Sequence, residues 1–355
     1  MKNISKGIIP ILVSIGLVLC SCTKETTTIE LIYSTDVHGS LFPYDYITDS
    51  PTNHSLAQVA SYVQQVRDTA ENVILLEAGD MLQGTPMVYY YNYIDTTSSH
   101  VISDIYNYMK YDAVTIGNHD IEAGHAVYDR LVSELNMPVL CANAVKTSDG
   151  TPYFKPYTIL KRGNKKIAII GLITPHIPHW LHEDYWKGMV FEDMIVSAQK
   201  WVDIVKAKEN PDAIIGLFHA GYDHTYGNTS PDEPMNENAS TLVGERVEGF
   251  DCILIGHDHK YVTPMITTPS GRKIPLCDAG TAAHKIGHLT INFDGGDHPK
   301  VTNRLVSVED VKPSEEYMAL FNPQNEAVKA YSQRIVGELS EEIVANESLF
   351  GSSKF

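Results

Sequence analysis

Short apolar runs separated by amphipathic stretches set the rhythm of this chain. The runs cover residues 29–33, 73–76, 113–116, 167–173, 213–218 and 252–255. Each is brief, rich in Ile, Val or Leu, and bounded by turn residues, as strands buried on both faces are. Between them, residues 55–69, 98–109, 124–135 and 192–208 carry apolar positions at the spacing of one helical face. Strands alternating with helices predict an α/β core. The pattern changes after His259. Residues 262–267, 273–277, 286–293 and 301–306 are joined by Gly, Pro and Asp turns and predict antiparallel strands. Residues 315–345 return to a charged helical pattern, and 220–238 crowd Gly, Asn, Pro and Asp into a long surface loop.

The first 22 residues read as a targeting segment rather than as structure. Lys2 and Lys6 open it, and the apolar stretch 7–19 is too short for a spanning helix, which needs about 20 apolar residues. Leu19-Cys20-Ser21-Cys22 follows, with a small residue before Cys22. It resembles a bacterial lipoprotein cleavage box, so Cys22 is expected to become a lipidated N-terminus on a polar linker, residues 23–28. That predicts an exported, lipid-anchored protein of the periplasm or cell surface.

A length of 355 residues with 43% hydrophobic content suffices for one large domain or two small ones. Acids outnumber bases 44 to 27, for a net charge of -17, which argues against a nucleic-acid polymer as partner. A small phosphate ester stays possible where metal ions supply local positive charge. Beyond Cys22, Cys141, Cys252 and Cys277 show no paired spacing, so no disulfide framework is expected.

The candidate chemistry sits where the apolar runs end. The endings are Ser34-Thr35-Asp36-Val37-His38, Glu77-Ala78-Gly79-Asp80, Gly117-Asn118-His119-Asp120, Phe218-His219 and Gly256-His257-Asp258-His259. Ligands of open α/β sheets bind outside the carboxyl ends of the strands, so side chains from neighbouring ends can converge there. Gly79, Gly117 and Gly256 allow a sharp backbone departure. Asp36 with His38, and His257 with His259, are two apart and would share one face of an extended segment. Carboxylate and imidazole without thiolate suit Zn, Mn, Fe or Co. Two such ions can clamp a phosphoryl group and activate water for in-line attack. Asp-x-His alone is weak and Gly-Asp is often only a turn. All five endings in this order are hard to explain as packing.

In that order the motifs resemble the calcineurin-like metallophosphoesterases, and within them the 5′-nucleotidase and 2′,3′-cyclic phosphodiesterase family. The match spans about 29–310 and includes Gly84-Thr85-Pro86 and Ala279-Gly280. The resemblance implies a four-layer α-β-β-α sandwich holding two divalent metal ions. One would take Asp36, His38, Asp80 and His259, the other Asp80, Asn118, His219 and His257. It further implies that His119 assists the leaving oxygen, partnered by Glu122 or Asp120, and that Asn118 and Asn143 approach the phosphate. The implied activity is hydrolysis of nucleoside 5′-monophosphates. His259, where many 5′-nucleotidases carry an amide, fits the alternative, a 2′,3′-cyclic-nucleotide 2′-phosphodiesterase/3′-nucleotidase. A catalytically idle metal- or partner-binding lipoprotein is the rival of another class. Relatives continue into a nucleoside-binding domain, so 311–355 is expected as a connector, with a separate chain as possible partner supplying that half. Tyr89, Tyr90, Tyr91 and Tyr93 are expected to pack a surface helix rather than stack a base.

Overall fold

The computed structural model describes residues 26–338. The targeting segment, Cys22 and the end of the expected C-terminal helix lie outside them. The strands of the two large sheets are β1 (Thr27–Ser34), β2 (Val73–Glu77), β3 (Ala113–Thr115), β4 (Val139–Leu140), β5 (Tyr157–Arg162), β6 (Lys165–Ile173) and β7 (Ala213–His219). They continue as β8 (Cys252–Ile255), β9 (Tyr261–Val262), β10 (Met265–Thr267), β11 (Lys273–Ala279), β12 (Lys285–Phe293) and β13 (Lys300–Ser307). One sheet runs β13-β12-β1-β2-β3-β4, and the other β9-β11-β8-β7-β6-β5 with β10 beside β11.

Period-two alternation decides which face each strand residue takes. Ile29, Leu31 and Tyr33 of β1 meet Ile167, Ile169, Ile215 and Leu217 of the other sheet in a shared core. Ile32 and Leu75 face the opposite way, onto helices α1 (Leu56–Arg67), α2 (Val101–Met109) and α3 (His125–Glu134). Ala168, Ile170 and Ile214 pack against α4 (Met194–Glu209). The layers are therefore helix, sheet, sheet, helix. Local chemistry sets the helix starts: Ser55 caps α1 by accepting from the Ala57 amide, and Asp193 caps α4 through Ile195 and Val196.

Three expectations need correction. The run 262–267 breaks into β9 and β10 around Pro264, which has no amide hydrogen for a ladder. β11 pairs antiparallel with β9 and β10 as the turns suggest, but it also pairs parallel with β8, so it extends the parallel part of its sheet as well. The last helix, α5 (Glu315–Ser332), is shorter than expected and is built into the domain. Its Tyr317, Phe321 and Val328 join the cluster outside the first sheet, and the Tyr317 hydroxyl donates to the Leu41 carbonyl at 2.8 Å.

Candidate active site

β1, β2 and β3 are mutually parallel, as are β7 and β8, so their carboxyl ends emerge on common edges. Asp36 and His38 follow β1, Asp80 follows β2, and His219 closes β7. Asn118 opens the short helix Asn118–Glu122 after β3, and His257 and His259 follow β8. Their donor atoms meet. Asp36 Oδ1 lies 3.3 Å from His259 Nε2 and 3.9 Å from His38 Nε2, and those two nitrogens are 3.1 Å apart. Asp80 Oδ2 is 3.9 Å from His38 Nε2 and 3.1 Å from His219 Nε2. Asn118 Oδ1 stands 3.1 Å from His219 Nε2 and 2.8 Å from His257 Nδ1. Ligands about 2.1 Å from one cation lie roughly 3–3.5 Å from each other, so this spacing and donor chemistry fit divalent metal.

His219, His38 and His257 are each aimed by a partner on the other ring nitrogen. His219 Nδ1 donates to the Ala78 carbonyl at 2.7 Å, and His38 Nδ1 to the Gln83 carbonyl at 2.8 Å, leaving both Nε2 lone pairs for the site. His257 is reversed: its Nε2 pairs with Glu237 Oε1 at 3.2 Å and presents Nδ1. Asp36 accepts from the Thr35 hydroxyl at 2.6 Å and the His257 amide at 3.1 Å. The Asp36 carbonyl accepts from the Ala282 amide and the Thr281 hydroxyl, next to Ala279-Gly280.

The backbone reaches this geometry by an unexpected route. Asp36, His38, Asp80, His257 and His259 all have left-handed φ, at 49°, 49°, 60°, 90° and 55°. The two Asp/His-x-His pairs are tight turns rather than extended segments. Of Gly79, Gly117 and Gly256 only Gly79, at φ 95°, needs its conformational freedom. Gly117 and Gly256 are required for close approach instead: a β-carbon on Gly117 would collide with Asp80, and on Gly256 with Thr35 and Asp36.

Burial alone would raise Asp80, but His219, with His38 and His119, pulls its carboxyl below the usual carboxylate range. Burial would likewise lower His219, yet Asp80 and Asp36 raise it. Buried acid thus draws positive charge to this point, as a cation site must. His119 stands beside it, 5.5 Å ring to ring from His38, with Nδ1 2.5 Å from Glu122 Oε2 and the amide donating to Asp80 Oδ1 at 2.9 Å.

Two candidates take other places. Asp120 does not touch the His119 ring. Both its oxygens are consumed by the amides of Gly117, Asp80, Met81 and Leu82, at 2.7–2.9 Å, so it holds the Asp80 turn to the start of the short helix. Asn143 is fully buried. Its amide bonds the Ile173 backbone on both sides and donates to the Glu192 carbonyl, leaving no group for phosphate. Three participants went unnoticed in the sequence: Glu237, Trp180, stacked on His257 at 5.5 Å, and Tyr185, beside His119 in a groove. Each comes from a loop or short turn without a local motif. His176 also reaches the site edge, 3.6 Å from Glu237.

A double-sheet sandwich with carboxylates and imidazoles gathered on its strand ends fits the class of metal-dependent phosphoesterases. The chain belongs to the calcineurin-like phosphoesterase family, whose profile matches residues 31–261. It is 28% identical over 282 residues to the trifunctional nucleotide phosphoesterase protein YfkN of Bacillus subtilis, covering 73% of this chain and 19% of that one. It is 26% identical over 355 residues to the 2′,3′-cyclic-nucleotide 2′-phosphodiesterase/3′-nucleotidase of Haemophilus influenzae, covering 90% and 52%. The 5′-nucleotidase of Bos taurus is 27% identical over 289 residues, covering 74% and 46%. The chain thus spans about half or less of these relatives. In fold it is similar to the crystal structure of calcineurin-like phosphoesterase YfkN from Bacillus subtilis, with a TM-score of 0.76, 23% identity and coverage of 87% and 100%.

Proposed function

We propose that the chain hydrolyses phosphate esters of nucleosides, nucleoside 5′-monophosphates foremost, at a centre of two divalent cations. The observation that carries this is Asp80 Oδ2, which lies within reach of His38 on one side and His219 on the other. Asp36, His38, Asp80 and His259 would hold one ion; Asp80, Asn118, His219 and His257 would hold the second. Bound there, the cations would supply Lewis-acid charge for the phosphoryl oxygens and a water acidic enough to attack at neutral pH. His119 donates a proton from Nε2 to the departing nucleoside oxygen, its ring held through Nδ1 by Glu122. Asp120 keeps Asp80 in register with Asn118 and His119. Trp180 and Glu237 hold the His257 ring.

A second reading, 2′,3′-cyclic phosphodiesterase with 3′-nucleotidase activity, draws support from His259 beside Asp36 and from the relatives carrying that description. We further propose export with a lipid anchor on Cys22, and a separate chain carrying a nucleoside-binding domain that adds to the contacts of this one.

The test is phosphate release by residues 23–355 loaded with manganese or zinc. The substrates are 5′-AMP, 3′-AMP and 2′,3′-cyclic AMP, with added phosphatase to score diester cleavage and Asp80→Asn as control. Cation-dependent turnover lost in the control is expected, fastest on 5′-AMP. Preference for the cyclic ester moves the assignment to the second reading. Absence of turnover with cation bound overturns both.

A further inference from the structure

His119 separates two surfaces. One is the cluster of cation ligands; the other is a groove of about 470 Å³ that His119 also lines. That volume lies in the range of small-ligand pockets, about 300–1,000 Å³. Its walls carry Tyr89, Tyr93 and Tyr185, which stay 49%, 49% and 41% exposed despite their size.

The exposure is built by the backbone. Residues Tyr90–Ile94 form a π-helix directly after the short helix Pro86–Tyr89. Such turns are rare and frequent at functional sites. Tyr90 and Tyr91 pack on the core, while Tyr89 and Tyr93 remain outside, ring to ring at 5.3 Å. The turn is pinned from beneath by Asn92, whose Nδ2 donates to the Leu82 carbonyl at 2.7 Å and whose Oδ1 contacts His100 Nε2 at 2.9 Å. His100 Nδ1 accepts from the Ile102 amide at 3.2 Å, so its hydrogen must sit on Nε2. Leu82 belongs to the turn that Asp120 holds beside Asp80. The tyrosine wall and the cation ligands therefore share one rigid base.

We propose that this groove receives the organic half of the ester, its tyrosines stacking a flat aromatic ring such as a nucleobase. The inference rests on the phosphoesterase reading and deepens it. In-line displacement puts the leaving oxygen opposite the attacking water. An oxygen protonated by His119 carries its alcohol past that ring, into the groove. The lining holds Glu122 and neither Lys nor Arg, which favours a neutral ring over a second phosphate.

The experiment has two parts. Adenosine binding to metal-free protein is measured by calorimetry or saturation-transfer NMR. It is compared for the wild type, the Tyr89→Ala/Tyr93→Ala pair, the Tyr89→Phe/Tyr93→Phe pair and Tyr185→Ala. The alanine pair should weaken binding about tenfold, and the phenylalanine pair should keep it, as stacking on an aromatic face requires. Tyr185→Ala, in a separate segment, should shift binding the same way and decides the matter if the alanine pair misfolds. In the loaded enzyme, the KM for 5′-AMP relative to that for glycerol phosphate should rise in parallel. Equal adenosine binding by all variants, or none by the wild type at millimolar concentration, overturns the groove while leaving ester hydrolysis intact. Loss of all ester hydrolysis in the loaded wild type would instead sink the phosphoesterase reading, with adenosine binding still deciding the groove.

Discussion

His119 has one ring nitrogen committed to Glu122 and one to spare, and that asymmetry makes its role measurable. A proton donor matters most when the departing alcohol is a poor leaving group. His119→Ala should cost about 10²–10⁴ in kcat on a nucleoside monophosphate and far less on a nitrophenyl ester, which leaves without help. Equal losses on both would make His119 a binding group instead. Glu237 acts one step further out. It is half-buried, and its hydrogen bond to His257 holds the carboxyl below its ordinary range. Glu237→Ala frees the His257 ring and should weaken cation binding about 10–100-fold in a metal titration, with the fold unchanged. Unaltered affinity would show that stacking on Trp180 suffices to aim the ring.

At the scale of elements, α5 is the sharpest case. Its charged surface reads as a connector, yet Tyr317 is fully buried against Phe42 with rings 5.8 Å apart. Tyr317→Ala should destabilise the domain by about 3–5 kcal/mol in urea denaturation, as loss of a buried aromatic does. A change near zero would mean that α5 is detachable. The same contrast explains what the chain reveals. The central parallel strands were legible because burial on both faces leaves continuous apolar runs. β5 was not, since its partly exposed edge position mixes Lys161 and Arg162 with apolar residues. The seven proposed metal donors could be read as candidates because strand ends carry them in short motifs. Their aiming was not: Ala78 and Gln83 contribute backbone carbonyls, which any residue could supply. Asn143 misled for the converse reason, as a polar residue near a strand end satisfies backbone groups as readily as phosphate.

For the whole molecule, stability should depend on pH through an acid buried in the sandwich. Burial holds Glu77 protonated, well above its ordinary range, beside Ser34, Tyr106 and Tyr111. In the unfolded chain the same carboxyl ionises above about pH 4.5. The unfolded state then binds fewer protons than the folded one, so folding stability falls by about 1.4 kcal/mol per pH unit from this group as pH rises. Glu77→Gln abolishes that slope, and its melting temperature should gain on the wild type as the pH rises above about 5. Parallel curves would place an ionised Glu77 in the fold.

The left-handed turns at the strand ends have a consequence for durability rather than chemistry. A residue other than glycine held at positive φ stores about 1–3 kcal/mol, and His259, at φ 55° with a partly exposed ring, has its Asp36 and His38 contacts to set against that strain. His259→Gly should therefore raise the melting temperature of chelated protein by a few degrees while lowering that of protein saturated with manganese. Crossed melting curves of this kind would mark a scaffold tuned to be comfortable only when loaded, one that sheds robustness in the absence of its ion so that occupancy itself becomes the quality control.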